Sequence, residues 1–288
     1  MPEGPLLSVE DLWVRFHTRT RLVEAVRGVS FSLGREKVGI VGESGSGKTM
    51  TGRAVLRLVR PPGEVTARRM DFLGTDLLSA SEKEMRAIRG DRISMVMQDP
   101  KFSLNPVMKV GRQIAEAYRV HSGASAAEAK AQALKMLEAV RIRDPERVYQ
   151  AYPHEVSGGM GQRIMIAMML IPDPEMMIAD EPTSALDVTV QMQILAILDD
   201  LVTQRGMGLI FISHDLNLVA SFCDRVIIMY AGQIVETCKA SELARAEHPY
   251  TRGLLASLPR VDRAVETLSV LQREESWRDQ GGVDASLR

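Results

Sequence analysis

Residues 37–49 read KVGIVGESGSGKT, and this stretch decides the fold. The run Lys37 to Val41 is apolar and short enough for a buried strand. The residues after it, Gly42, Glu43, Ser44, Gly45, Ser46, Gly47, Lys48 and Thr49, fill every position of the pattern G-x-x-x-x-G-K-[ST]. Glycines let such a loop curl until several backbone N–H groups face one point, a concavity that suits phosphate oxygens. A helical pattern from Lys48 to Val59 follows, stopped by Pro61 and Pro62, and adds the positive end of its dipole. Lys48 is expected to reach the β- and γ-phosphates of a nucleotide, and the Thr49 hydroxyl to hold Mg2+. A plain Gly/Ser turn with a chance lysine would account for neither the strand before the loop nor the helix after it.

Working outward, Leu6 to Phe16 and Val26 to Leu33 alternate apolar and polar residues, as half-buried strands do. Further strands are expected near Met70 to Leu73, Ile93 to Met97, Met176 to Ala179, Leu209 to Ile212, Val226 to Tyr230 and Gln233 to Glu236. Helical patterns run over Val107 to Tyr118, Ala124 to Val140, the Met-rich segment after Gly161, and Val188 to Val202. Strands alternating with helices imply a parallel α/β sheet. The helical insert between Gln98 and Ser157 reads as a separate lobe. The strand MMIAD ends in two carboxylates, Asp180 and Glu181. An Asp at the tip of a buried strand suits a grip on Mg2+, and Glu181 would orient or deprotonate an attacking water.

The bulk numbers set bounds. With 36 Lys plus Arg against 37 Asp plus Glu, the net charge of -1 gives no whole-protein field for nucleic acid. The composition, 45% hydrophobic and 25% charged, can bury a substantial core. The two cysteines, Cys223 and Cys238, stand in no Cys/His cluster, which reads as a reduced compartment. The start, MPEGPLLSVEDLW, does not read as a signal peptide, and the apolar run Ile164 to Ile171 is too short to cross a bilayer.

VSGGMGQR (Val156 to Arg163) resembles the signature of the ABC ATPases, usually LSGGQ, and the family's other elements stand around it in order. Gln98 in MVMQDP is similar to the Q-loop, Ser184 to Asp187 to the D-loop, and His214 in ISHD to the switch histidine. The resemblance covers about residues 6 to 260. It implies an α/β fold: a P-loop NTPase (RecA-like) core with a parallel sheet, an N-terminal antiparallel β subdomain and an inserted α-helical subdomain. The implied boundaries are an ATPase domain over 5–260, with its helical part at about 99–160, and a short mobile tail over 261–288. Ser157, Gly158 and Gly159 would cover the ATP held by a partner, His214 would contact the γ-phosphate, and Gln98 would link the Mg2+ site to the helical lobe. Read alone, Ser157 is a helix cap, His214 a strand-end histidine and Gln98 a surface residue in a turn. Phe16, with His17 behind it, is the candidate for stacking on adenine; core packing is its other reading.

Several stretches resemble the peptide/nickel importer branch: GIVGESGSGKT, QDPKFSLNPVMKVGRQI, YPHEVSGGMGQR, ADEPTSALDVTVQMQIL, MYAGQIVE and HPYTRGLLASLP (His248 to Pro259). The last reads equally as an ordinary amphipathic helix. This resemblance implies an ATP-hydrolysing subunit on the cytoplasmic face of the inner membrane. Its implied partners are two transmembrane permeases, a related second ATPase and, through the permeases, an extracytoplasmic solute-binding protein. The sequence departs from many members after Pro259, where Val261 to Arg288 contains no cysteine, so no iron–sulphur cluster is expected. Met160, Met165, Met168 and Met169 follow a helical spacing and read as adaptable core, in preference to a metal-binding methionine box. Two rival readings are a non-transport ABC ATPase of the DNA-repair or translation type, and an exporter ATPase. The interval from Gln98 to Ser157 is too short for the coiled coils or zinc modules of the repair type, and HPYT argues against the exporter.

Overall fold

The computed structural model describes residues 4–97, 103–184, 186–257, 277 and 282–286. The chain divides into two compact units, one of Met1–Ser79 with Ile210–Arg288 and one of Ala80–Leu209.

The first unit opens with β1 (Leu7–His17) and β2 (Leu22–Leu33), paired antiparallel. Their register sets Leu7 opposite Leu33, Val9 opposite Phe31, Leu12 opposite Val29 and Val14 opposite Val26, all of them buried. Alternation thus puts one apolar face on the core, as the period of two dictates. A bulge separates Val9 from Leu12, where Asp11 takes φ 53° and donates its N–H to Ser30 Oγ at 2.9 Å. Next come β3 (Lys37–Val41), α1 (Lys48–Val55), β4 (Gly63–Thr66), β5 (Arg69–Phe72) and β6 (Thr75–Asp76). Both β4 and β5 pair antiparallel with β1. Helix α1 is shorter than its sequence pattern. Arg57, at φ 51°, donates to Ala54 O at 2.9 Å, and Leu58 donates to Arg53 O at 2.8 Å, which closes the helix ahead of the prolines.

The second unit carries α2 (Glu82–Ile88), β7 (Ile93–Val96), α3 (Val110–Ser122), α4 (Ala126–Ala139), α5 (Pro145–Gln150), α6 (Gly158–Leu170), β8 (Met176–Asp180) and α7 (Val188–Arg205). Strands β7 and β8 run parallel, and every residue of both is buried, as expected of parallel strands covered on two faces. Helix starts are marked by side chains that satisfy free N–H groups: Ser81 for α2, Ser125 for α4, Asp144 for α5 and Asp187 for α7. Helix α3 packs on α4, α5 and α6.

The chain re-enters the first unit within β9 (Gly208–Ser213), then forms α8 (Leu216–Phe222), β10 (Arg225–Tyr230), β11 (Gln233–Lys239) and α9 (Pro249–Ala256). In this unit the strand order is β11-β10-β3-β9, with β10 parallel to β3 and antiparallel to β11. Last, β12 (Asp284–Ala285) pairs parallel with β2. Ala285 is buried, its carbonyl accepts from Arg225 at 2.6 Å, and Trp277 is buried among aromatic rings.

Candidate functional site

The loop between β3 and α1 is shaped by what glycine alone permits. Gly47 sits at φ 103°, and a Cβ there would lie 2.5 Å from Ala25 O. Gly47 is also the N-cap of α1, and the positive end of that helix faces the loop, which favours an anion there. The loop is fastened to the β10–β11 turn, where Gly232 N–H donates to Ser46 O at 3.0 Å, and that turn is held to β2 by Arg27 N–H donating to Gly232 O at 2.8 Å. Within it, Ser46 N–H donates to Glu43 O at 3.2 Å. The Lys48 side chain, only 6% exposed, donates from Nζ to Gly42 O at 2.7 Å and to Glu43 O at 2.9 Å. A buried ammonium held by carbonyl oxygens at the start of a helix suits an anionic ligand.

Two more of the expected residues stand in this unit. His214 follows β9 and is exposed, and the next residue, Asp215, caps α8 by accepting from Leu218 N–H at 3.1 Å. Phe16 is half-buried on β1 opposite Gly63, where a Cβ would come within 2.8 Å of its ring.

The second unit holds the carboxylates and the glycine-rich helix start. Asp180 ends β8 at 5% exposure. Glu181, directly after it, has φ 46°, a left-handed conformation that residues with a side chain seldom adopt. Its carbonyl accepts from both the N–H and the hydroxyl of Ser184, at 3.3 and 3.2 Å. Strain held in place by such bonds is common where a side chain must be aimed. Asp187 caps α7, accepting from Val190 N–H at 3.0 Å. Ser157 caps α6, accepting from Met160 N–H at 3.4 Å, and Ser157 and Gly158 are exposed. A Cβ on Gly159 would fall 2.7 Å from Val190 Cγ1, so glycine lets α6 begin close against α7.

Sequence reasoning missed what surrounds this helix start. Ser157, Gly159 and Met160 line a cavity of about 730 Å3 together with Arg141, Arg143, Arg147 and Arg163. Burial, then the charges of Arg141 and Arg143, hold the Arg163 guanidinium below its ordinary pKa. Such crowding of cations beside a helix N-terminus suits an anion. The run RIRDPER (Arg141 to Arg147) was the legible signal. Gln98, and Ala185 of the SALD segment, lie outside the described residues. Among the described residues, no three His, Cys, Asp or Glu side chains group as a metal site.

Comparison with known proteins bears on these features. A family model described as "ABC transporter" matches residues 26–184. The chain is 51% identical over 257 residues to the probable peptide ABC transporter ATP-binding protein y4tR of Sinorhizobium fredii, covering 88% of this chain and 77% of that one. It is 50% identical over 264 residues to the oligopeptide transport ATP-binding protein OppD of Bacillus subtilis, covering 91% and 74%. Among solved structures, the ATP-binding cassette MJ0796, a dimer in a post-hydrolysis state bound to ADP and Pi, superposes with a TM-score of 0.73 at 26% identity, over 81% of this chain and 98% of that one. That likeness extends the expected P-loop NTPase fold to the whole cassette.

Proposed function

Because the chain belongs to the ABC transporter family, we propose that it is the ATP-binding and hydrolysing subunit of an importer for peptides or a related small solute. The observation that carries this reading is the Lys48 ammonium buried in its glycine loop, in a chain about half identical to proteins named as peptide and oligopeptide transport ATP-binding proteins. No helix among the described residues is long and apolar enough to cross a membrane. The rival repair, translation and exporter readings find no support among these relatives.

The roles follow from each residue's chemistry. The loop Gly42 to Thr49 presents N–H groups to the phosphates, and Lys48 offsets their charge. Thr49 and Asp180 are oxygen donors of the kind Mg2+ takes, and when bound the ion neutralises charge on the β- and γ-phosphate oxygens. Few protein ligands are needed, because phosphate oxygens and water complete the shell. Glu181 orients or deprotonates the attacking water, and His214 contacts the γ-phosphate. Gln98 passes the state of the nucleotide to the helical segment. Ser157, Gly158 and Gly159 cover the nucleotide of a second ATPase subunit, and the arginine-lined cavity beside them supports an anion at that place. Phe16 is the proposed adenine contact. The stretch from Gln98 to Pro106 meets a permease on the cytoplasmic side of the membrane, and the apolar Val107 that follows it is 82% exposed.

Purifying the tagged chain from membranes in mild detergent tests this proposal. Recovery of two multi-span permeases, a second ATPase and a solute-binding protein is expected. Recovery of soluble partners alone, ribosomal or repair proteins among them, would overturn the transport reading and leave ATP hydrolysis standing.

A further inference from the structure

We infer that Tyr250, at the start of the C-terminal helix α9, is a positioning residue for the nucleotide loop. It acts by clamping one peptide plane whose other side seats the Lys48 ammonium. The peptide unit joining Gly42 to Glu43 carries the Gly42 carbonyl and the Glu43 N–H, which point in opposite directions across a rigid plane. The carbonyl accepts from Lys48 Nζ at 2.7 Å. The N–H donates to the Tyr250 hydroxyl oxygen at 3.0 Å, across 207 residues of chain. Rotating this plane would break both bonds together. Holding the N–H from outside therefore fixes the direction of the carbonyl that holds the ammonium inside.

The clamp is itself immobilised. Tyr250 is 0% exposed, and its ring packs on Tyr230 at 4.5 Å and Trp277 at 6.1 Å between centroids. Its backbone N–H donates to His248 Nδ1 at 3.2 Å, the N-cap of α9, while Pro249 fixes the first helical residue. Glu236 accepts the N–H groups of Glu247 and His248, at 2.7 and 3.4 Å, and ties the segment to β11. The same sheet grips the loop a second time, because the turn after Tyr230 donates from Gly232 N–H to Ser46 O. The HPYT segment, which the nucleotide chemistry leaves without a role, thus supplies a side-chain oxygen to the backbone of the loop's entry.

This inference rests on the reading of Gly42 to Thr49 as an ATP site, and the test separates the two. The full chain is titrated with AMP-PNP and Mg2+ by calorimetry, as wild type, Tyr250→Phe and Tyr230→Phe, with melting temperature and steady-state ATP hydrolysis measured alongside. Tyr250→Phe keeps the ring and its packing but removes the hydroxyl that accepts from the part-buried Glu43 N–H. We expect it to weaken nucleotide binding about three- to tenfold. The KM for ATP should rise equally and kcat at saturating ATP should stay put. Tyr230→Phe removes a hydroxyl from the same cluster without touching the Glu43 bond, and should bind as wild type. Wild-type affinity in Tyr250→Phe, or an equal loss in both variants, overturns the inference alone. A wild-type chain that does not bind the nucleotide overturns the ATP site as well.

Discussion

Burial decides the chemistry of both thiols. Apolar surroundings push the Cys223 pKa up to about 12 and that of Cys238 up to about 11, the latter helped by the charges of Glu236 and Glu242. A thiol with a pKa raised in this way is protonated at neutral pH, and only the thiolate reacts. At pH 8 about a thousandth of Cys238 would be thiolate. The folded chain should therefore resist iodoacetamide at pH 8 over a time that fully labels the chain in urea. Labelling of Cys238 should quicken about tenfold per pH unit toward its pKa; rapid labelling at pH 7 would refute this picture. Other single residues were more legible from the order of amino acids. Gly47 and Lys48 announce themselves because a phosphate loop tolerates few substitutes at those positions. Tyr250 did not, because nothing local marks a tyrosine whose partner lies 207 residues away. The left-handed backbone at Glu181 was equally hidden, since no glycine or asparagine signals it.

At the scale of elements, apolar runs with clear flanks were readable. The sequence places β3 at Lys37–Val41 and α7 from Val188, as the structure does, because one runs into a glycine turn and the other follows a capping aspartate. Weakly apolar elements were missed. Helix α2 has little apolar content, yet Ser81 and Glu84 spell a capping box, in which Ser81 accepts from Glu84 N–H and Glu84 accepts from Ser81 N–H at 2.7 Å. Strand β4 exists only because β1 pairs with it, a long-range cause that local patterning does not carry. The box makes a pH-dependent prediction. Hydrogen bonds from the Ser81 hydroxyl and N–H hold the Glu84 carboxyl below its ordinary 4.5. A depressed carboxylate contributes stability that is full above the ordinary value and fades as pH falls through the lowered one. Ser81→Ala should lower the melting temperature by about 2 °C at pH 7, and the deficit should shrink at pH values below 4.5. A deficit independent of pH would show that the carboxylate plays no part.

Across the whole molecule, the residues assigned to nucleotide chemistry are divided between the two units. Gly42 to Thr49 and His214 stand in the first, and Asp180, Glu181 and Ser157 to Gly159 in the second. Each set is interleaved with its own fold: the loop is pinned by β10, β11 and α9, and the carboxylates are carried on a strand buried along its length. The architecture was legible in outline because strands alternate with helices. The return of the chain at Trp277 and β12 was not, since a short pairing within a charged stretch leaves no pattern. The account's central claim is that this chain hydrolyses ATP with Glu181 acting on the water. Phosphate release by the membrane complex purified with wild-type chain, against the complex with Glu181→Gln, tests it most directly. The account predicts a fall in turnover of about a hundredfold or more, roughly 3 kcal/mol of transition-state stabilisation, with ATP binding retained. Turnover equal to wild type in the Glu181→Gln complex would contradict it.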